Sequence, residues 1–423
     1  MAKPKLALIP AAQGDKFYSV LPSDGVGDFD FTRGSSATRI NAQGLIETVA
    51  DTSSRLNYDL LNGKVVNCPH YLLEPASTNL ITYSDDFSNS AWSKNNVSIN
   101  TNDAVSPDGS LNASSIVGDG STSYHWIQKG SGSGISGKTY TVSFFAKKGS
   151  LNFLQLVLDS SVFGIMHQNF DLENGVIGSS SGSATPFIKN YGNGWYRLGV
   201  TATATSSNTI IPLIALANSN TIGRFGSFGT SGNIKIYGVQ VEESSYATSY
   251  IPTNGTAITR AAETANGSGD AATFNDSEGV LMAEISALAN DLTFRLIALK
   301  GTSDDIRFGY RTTSNAIYVD APNAFLVATV NDIKTFNKVA IKYGSTGTKF
   351  FINGFELGVD ADDSSFSGIN TLDFDATGSS NYFFGKTREL QYFDSALTDA
   401  QLETLTSWTS LQEMITSQLY TNY

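Results

Sequence analysis

The 423-residue sequence contains a single cysteine, Cys68, which excludes an intrachain disulfide and any cysteine-based zinc site. Charged residues make up only 16% of the chain, and the net charge is −12. Because nucleic acids and anionic lipid surfaces are bound by clustered Lys and Arg, we expect neither as a partner. No run approaches ~18 apolar residues, and the start lacks the pattern of a signal peptide. We therefore expect synthesis in a cytoplasm and no membrane insertion.

Residues that would carry catalysis are also sparse. The three histidines His70, His125 and His167 lie far apart, and none has a metal-ligating partner at helical spacing. Glycoside hydrolysis needs two carboxylates that face the scissile bond. Glu242 and Glu243 are adjacent at the end of a strand pattern, where neighbouring side chains point to opposite faces. The sequence predicts a protein that is not an enzyme.

The sequence is rich in short strand patterns. Residues 138–147, KTYTVSFFAK, alternate aromatic and aliphatic side chains with hydroxyl side chains, as a half-buried strand does. In KFFINGFELG, residues 349–358, the pair Asn353-Gly354 has the left-handed preference that a two-residue type I′ turn requires. Strands that follow one another without helical patterns between them predict antiparallel sandwiches.

These patterns predict an all-β chain of two antiparallel β-sandwiches of jelly-roll type, with an irregular N-terminal arm and a C-terminal helix. The predicted divisions are an arm at 1–79, a first sandwich at 80–252, a linker at 253–270, a second sandwich at 271–397 and a helix at 398–423.

One helix is predicted at the end of the sequence. Thr398 is a suitable N-cap, and Gln401 three residues later completes a capping box. An apolar stripe continues at spacings of three and four, so the helix is expected to reach about Tyr420. The stripe either packs on the chain's own sandwich or serves self-association. It consists of Leu402, Leu405, Trp408, Leu411, Ile415 and Leu419.

Aromatic side chains are the candidate ligand contacts, because a flat ring covers the apolar face of a sugar. The candidates are Tyr124, Trp126, Trp92 and Tyr191. Tyr124 and Trp126 rank first, since they share one strand face after a loop rich in Gly and Ser. The alternative is that the tryptophans belong to the core.

Acidic side chains offer one candidate metal site. Asp360, Asp362 and Asp363 follow a predicted strand, and calcium takes several oxygens from loops of this kind. The alternative is a solvated acidic loop without metal. No other cofactor is expected.

Several separate strings resemble tailed-bacteriophage virion structural proteins of the tail-fibre and head-fibre type, which carry a jelly roll similar to a carbohydrate-binding module. The strings cover about the first 265 residues and lie at 31–47, 72–94, 195–203, 239–253 and 259–263. The remainder resembles a concanavalin A-like or laminin-G-like domain, on the strings at 349–358 and 383–405.

The resemblance implies a fibre or decoration protein on the exterior of a phage particle, made in the host cytoplasm and able to bind a host-surface glycan. The arm would attach it to other virion proteins, through Phe31, Arg33 and Arg39. Internal bracing of the turn at Gly34 is the alternative role for the two arginines. A homo-oligomer is expected, and a trimer would suit a fibre. Two alternative functions are a purely structural virion protein without ligand and a polysaccharide depolymerase.

Overall fold

The computed structural model describes residues 3–66, 68–225, 231–302, 304–376 and 381–408, and it confirms an all-β fold with two sandwiches. Among the described residues, no helix is long and apolar enough to span a membrane. The two helices are α1 (Ser160–Phe163) and α2 (Asp399–Thr406). The strands are β1 (Leu6–Leu8), β2 (Lys16–Phe17), β3 (Ser19–Leu21), β4 (Phe29–Thr32), β5 (Ala37–Ile40), β6 (Ile46–Val49), β7 (Leu56–Asn57), β8 (Leu60–Leu61), β9 (Lys64–Val65), β10 (His70–Leu73), β11 (Ser77–Asn79), β12 (Ser93–Asn95), β13 (Val97–Val105), β14 (Leu111–Gly118), β15 (Trp126–Gln128), β16 (Ser133–Gly134), β17 (Thr139–Lys148), β18 (Phe153–Leu158), β19 (Met166–Asp171), β20 (Val176–Ser181), β21 (Thr185–Gly192), β22 (Trp195–Thr203), β23 (Asn208–Thr209), β24 (Pro212–Ala217), β25 (Asn233–Glu242), β26 (Ile258–Arg260), β27 (Thr264–Asn266), β28 (Glu278–Ala287), β29 (Arg295–Lys300), β30 (Asp305–Tyr310), β31 (Ala316–Ala321), β32 (Ala324–Thr329), β33 (Asn337–Gly344), β34 (Thr348–Ile352), β35 (Phe355–Asp360), β36 (Thr371–Asp373) and β37 (Gly385–Phe393).

The first sandwich packs two six-stranded antiparallel sheets, in the orders β13-β14-β25-β17-β22-β21 and β12-β15-β24-β18-β19-β20. Strand β17 confirms the predicted alternation, because Tyr140, Val142 and Phe144 point into the core between the sheets. On its other face Thr141 shares a hydrogen bond of 2.8 Å with Thr201 of β22. Apolar burial on one face and hydroxyl pairing on the other therefore fix the register of this strand.

The second sandwich packs the sheet β3-β1-β37-β28-β33-β34-β35 against the sheet β32-β31-β30-β29-β36. Strand β10 also pairs with β37, and β7 pairs with β10. The predicted hairpin between β34 and β35 is confirmed. Asn353 and Gly354 have φ angles of 52° and 90°, the left-handed conformation that a type I′ turn requires at both positions.

The N-terminal segment 1–79 is built into the second sandwich. Strands β1 and β10 pair with the two halves of β37, and β4 pairs with β27. The ring of Phe17 stacks on Tyr71 with centroids 3.8 Å apart, inside the core of this sandwich. The N-terminal segment is therefore ordered by its contacts with the rest of the same chain.

The first sandwich is an insertion in the second. Strand β11, which leads into it, pairs with β26, which follows it, and Asn79 is opposite Ile258. The segment 253–270, expected to be a linker, carries both β26 and β27 and is packed on the rest of the fold. The segment that leads into the inserted sandwich and the segment that leaves it thus pair as one two-stranded connection. The five predicted divisions remain predictions.

A buried cluster of three arginines and two glutamates, here called the arginine–glutamate cluster, lies at this connection. Arg33 Nη1 donates to Glu263 Oε1 at 2.6 Å, and Arg55 Nε donates to the same oxygen at 2.8 Å. Arg55 Nη1 and Arg260 Nη1 both donate to Glu74 Oε2 at 2.8 Å. The five side chains are at most 4% exposed. Charges this deeply buried are stable only when they are paired and hydrogen-bonded.

Electrostatics within the cluster hold the carboxylate of Glu74 ionised. Burial raises the pKa of Glu74, but Arg260 and Arg55 outweigh it and lower that pKa to about 2, together with hydrogen bonds from Ser249. Burial likewise lowers the pKa of Arg55, and the carboxylates of Glu263 and Glu74 raise it by more. The charges of Glu74 and Arg55 are therefore maintained by their neighbours.

The C-terminal helix α2 starts as predicted and is shorter than predicted. The capping box of Thr398 and Gln401 is present, and Leu402 is buried against the second sandwich. The helix ends at Thr406, because Ser407 has an extended backbone with ψ of 157°. The prediction of one helix to about Tyr420 is therefore wrong at Ser407. The predicted stripe residues Leu411, Ile415 and Leu419 lie outside the described residues.

We expect Glu263→Gln to lower the free energy of unfolding by about 3–5 kcal/mol, because it leaves Arg33 and Arg55 with less compensating charge in a buried site. Denaturant unfolding followed by circular dichroism measures this. The control is Glu243→Gln, whose carboxylate is 47% exposed and pairs with Lys138 at the surface. Equal effects of the two substitutions would contradict the proposed importance of the cluster.

The lowered pKa of Glu74 predicts a loss of stability in acid. Its folded pKa of about 2 lies below the ordinary value of 4.5, so its contribution is present above pH 4.5 and is lost as pH falls towards 2. The shift corresponds to roughly 3 kcal/mol. The test measures the free energy of unfolding between about pH 5 and pH 2, the range that these pKa values set. The dependence on pH should be flatter in Glu74→Gln, and parallel curves for variant and wild type would refute the assignment.

Candidate functional site

A row of side chains crosses the outer face of the sheet β12-β15-β24-β18-β19-β20, on the side away from the core. Trp126 is opposite Ala215 in the register, Ala215 is opposite Gln155, and Gln155 is opposite Asn169. The alternate residues of the same strands, such as Ile127, fill the core. Because side chains alternate along a strand, Trp126, Gln155 and Asn169 lie together on this outer face.

Residues 222–225, which follow β24, lie on this face and are held by the two amides. Gln155 Nε2 donates to the carbonyl oxygen of Gly223 at 2.8 Å, and Asn169 Nδ2 donates to that of Ile222 at 2.7 Å. The backbone N–H of Phe225 donates to Gln155 Oε1 at 2.5 Å. Phe225 has a φ of 84°, which is strained for a large residue and is retained only where the surroundings fix it.

Held in this way, Phe225 joins the two leading sequence candidates. Its ring centroid is 5.5 Å from that of Tyr124, and it packs with Trp126 on a small apolar cluster of the outer face. Arg224 lies over the Phe225 ring at 4.1 Å from its centroid. Tyr124 is 36% exposed and Trp126 is partly exposed. We call Tyr124, Trp126, Arg224 and Phe225 the aromatic platform.

The chemistry of the aromatic platform suits a neutral ring-shaped ligand. Partly exposed aromatic faces cover the C–H side of a sugar, and a guanidinium donates to its hydroxyls. Arg224 Nε is buried and has no hydrogen-bond partner among the described residues. Arg224 also lowers the pKa of the nearby His167, although burial of the imidazole is the larger cause. The structure thus places Tyr124 and Trp126 beside the same ring, that of Phe225, and their role as ligand contacts stays a prediction.

Sequence reasoning missed the amides and the loop residues of this site. Gln155 lies in an otherwise apolar strand, NFLQLVLD. An amide that is buried in such a strand needs specific hydrogen-bond partners, and this was the available signal. Arg224 and Phe225 carry no periodic pattern, because they lie in an irregular loop whose position depends on that amide.

The other two aromatic candidates lie elsewhere. Trp92 is 2% exposed, packs on Phe87 in the core and donates from Nε1 to the carbonyl oxygen of Tyr83 at 3.0 Å. Trp92 is therefore a core residue, which was the alternative for the tryptophans. Its ring is not accessible for stacking on a ligand. Tyr191 packs edge-on against Phe145 and lines a cleft between the two sandwiches.

Phe31 and Arg33, two of the predicted docking residues, are used inside the chain. Phe31 is 6% exposed in the core of the second sandwich, and Arg33 is part of the arginine–glutamate cluster. Arg33 Nε also donates to the carbonyl oxygen of Ser35 at 2.7 Å, across the turn at Gly34. In this fold neither side chain is accessible to a partner, so the geometry of Arg33 matches the bracing alternative.

Arg39, the third predicted docking residue, is also engaged within the chain. Its Nε donates to Glu47 at 2.9 Å, and its Nη1 donates to the carbonyl oxygen of Leu56 at 2.9 Å. Attachment of residues 1–79 to other virion proteins stays a prediction, and another part of that segment would have to carry it.

The acidic residues proposed for calcium are occupied by local turns. Asp360 Oδ1 accepts from the N–H of Asp362 at 3.0 Å, and Asp363 Oδ1 accepts from the N–H of Ser365 at 2.8 Å. Within the described ranges, no three His, Cys, Asp or Glu side chains are grouped so as to hold a metal ion. Calcium binding by these three residues stays a prediction.

The adjacent glutamates point to opposite faces, as the sequence predicts. Glu242 is fully buried and accepts from Ser77 Oγ at 2.6 Å and from Thr248 Oγ1 at 2.7 Å. Glu243 is exposed and pairs with Lys138 at 3.1 Å. They do not share an opening in which a glycosidic bond could lie between them.

Comparisons with known proteins give no family. No protein-family model matches the sequence, and no curated protein matches it. Partial similarity to solved structures is found, at TM-scores of 0.28 or below and identities of 15% or below in the three cases given next. At such values the similarity assigns neither a fold nor a function to this chain.

The first of these structures is the CBM40 of a Ruminococcus gnavus sialidase bound to α2,3-sialyllactose, with 15% identity and a TM-score of 0.26, covering 31% of this chain and 83% of that one. The second is domain 4 of a Geobacillus stearothermophilus arabinanase in complex with arabinotriose, with 14% identity and a TM-score of 0.28, covering 39% and 84%. The third is a mouse laminin α1 fragment, domains LG4-5, with 10% identity and a TM-score of 0.23, covering 69% and 90%.

The position of Trp92 predicts that Trp92→Ala destabilises the first sandwich by about 3–5 kcal/mol, because it leaves a cavity and an unpaired carbonyl. Thermal unfolding followed by intrinsic fluorescence and circular dichroism measures this. Phe355→Ala is the matched control, since that aromatic ring is 69% exposed and lies on the other sandwich. A well-folded Trp92→Ala protein that has lost only ligand binding would show that the core assignment is wrong.

Proposed function

We propose that this chain is a non-enzymatic glycan-binding protein whose first sandwich contacts sugar through the aromatic platform. The observation that carries the proposal is the loop of Arg224 and Phe225, which is held against Tyr124 and Trp126 by two buried amides. Fixing a strained loop beside partly exposed rings gives a preorganised surface, and preorganisation lowers the ordering cost of binding.

We further propose that the chain is a structural protein on the exterior of a bacteriophage particle, as a fibre or decoration protein. This part rests on the sequence resemblance. Four of the five strings that carry the resemblance contribute residues that meet in or beside the arginine–glutamate cluster: Arg33, Glu74, Ser249 and the pair Arg260 and Glu263. Repetition of weak sites on a particle would raise the overall affinity for a host surface.

The glycan proposal is tested with Trp126→Ala on an array of bacterial surface glycans. We expect the wild-type chain to bind a subset of neutral glycans and the variant to lose at least about tenfold in affinity, because stacking on the indole ring is removed. Phe355→Ala, an exposed aromatic substitution on the second sandwich, should bind like the wild type.

Silence of the wild-type chain on the array would overturn the glycan proposal and favour a purely structural role. Release of new reducing ends from any polysaccharide on the array would instead overturn the non-enzymatic part. The virion part has its own test, since mature infectious particles should contain the chain and bind an antibody raised against the first sandwich. Particles without it would refute that part alone.

A further inference from the structure

A second concave site lies between the two sandwiches, well separated in the fold from the aromatic platform. It is a cleft of about 220 Å³ lined by parts of three segments. Tyr191 and Arg197 come from the first sandwich, Leu288 and Lys386 come from the second, and Arg39 comes from the N-terminal segment. We call it the inter-sandwich cleft. Because each segment contributes to it, the cleft exists only when the whole chain is folded.

The inter-sandwich cleft is cationic although the chain has a net charge of −12. Five basic side chains line it, namely Arg39, Lys189, Arg197, Lys334 and Lys386, of which Arg39 pairs with Glu47 and Lys334 pairs with Asp332. The two carboxylates of its lining, Asp59 and Glu74, are at most 4% exposed and are already paired with Lys386 and with Arg55 and Arg260. Basic groups in a concave site attract anions more strongly than the same groups on an open surface.

Lys189 is the basic side chain most available to a ligand. It is exposed, and no carboxylate of the described residues lies within 4 Å of its ammonium group. It lines the cleft together with Lys386, whose ammonium group is already paired with Asp59 at 2.6 Å. An ammonium group without a carboxylate partner in a concave site attracts an anion.

The wall of the inter-sandwich cleft is partly apolar, with Ile40, Phe145 and Leu288. The cleft continues along β21 and β22 into a second concavity of about 330 Å³, which shares Lys189, Tyr191 and Arg197 with it. An extended groove with charges at one place and apolar or aromatic walls beside them fits a chain of ring-shaped units better than a small inorganic anion.

We propose that the inter-sandwich cleft binds a carboxylate-bearing sugar unit, such as a hexuronic acid within an acidic polysaccharide. The carboxylate would pair with Lys189, and the C–H face of the ring would contact the apolar wall. The site is independent of the aromatic platform, so it would stand even if the platform bound nothing.

The experiment titrates the full chain with an oligosaccharide of galacturonic acid, and with a neutral oligosaccharide of equal length, by calorimetry at low and high salt. The acidic oligosaccharide should bind, more weakly at high salt, and the neutral one should not bind in the cleft. Lys189→Gln should lower the affinity by about tenfold, and Lys189→Arg should retain most of it. Lys138→Gln removes the same charge outside the cleft and should have little effect.

Three outcomes would overturn the proposal. The first is an affinity for the acidic oligosaccharide that Lys189→Gln leaves unchanged. The second and third are binding of inorganic phosphate, or of a polyglutamate peptide, as tight as that of the acidic oligosaccharide. Either of these last two would mean that charge alone is recognised. Trp126→Ala separates this site from the proposed function. If that variant loses the acidic oligosaccharide while Lys189→Gln keeps it, binding is at the aromatic platform and the cleft is not the site.

Discussion

The pairing of three buried arginines with two buried glutamates is the constraint on which the rest of this structure depends. Arg33 and Arg55 precede the first sandwich by tens of residues, whereas Arg260 and Glu263 follow it. A buried charge without a partner costs several kcal/mol, so these segments are stable only in each other's presence. The cluster therefore requires the segments on both sides of the inserted sandwich to come together. The position of the inter-sandwich cleft follows from this arrangement.

Much of the fold could be predicted from local sequence patterns. The alternation of β17, the type I′ hairpin at Asn353 and Gly354 and the capping box at Thr398 each depend on a few neighbouring residues, so their signals are visible in the sequence. The end of α2 could not be read in this way. Its predicted stripe of apolar residues was regular, yet the backbone becomes extended at Ser407 without a Gly or Pro to announce it.

The sites were predicted less well because they depend on distant parts of the chain. Tyr124 and Trp126 could be found because they are spaced two residues apart in the sequence, but Phe225 reaches them only because Gln155 holds its backbone. Arg33 looked like a docking residue because its partner, Glu263, is 230 residues away. Four of the five strings that carry the sequence resemblance contribute residues in or beside the arginine–glutamate cluster. The resemblance therefore describes the framework and says little about the ligand.

The insertion of one sandwich within the other has a consequence for biosynthesis. Strands β1 and β37 pair although about 380 residues separate Leu8 from Leu390. At ribosomal rates of about 5–20 residues per second, β1 waits on the order of 20–80 s before its partner has been translated. The inserted sandwich has all its strands much earlier and can fold first. Strand β1 meanwhile lacks its partner until β37 has been translated, so the second sandwich is completed only after the inserted one.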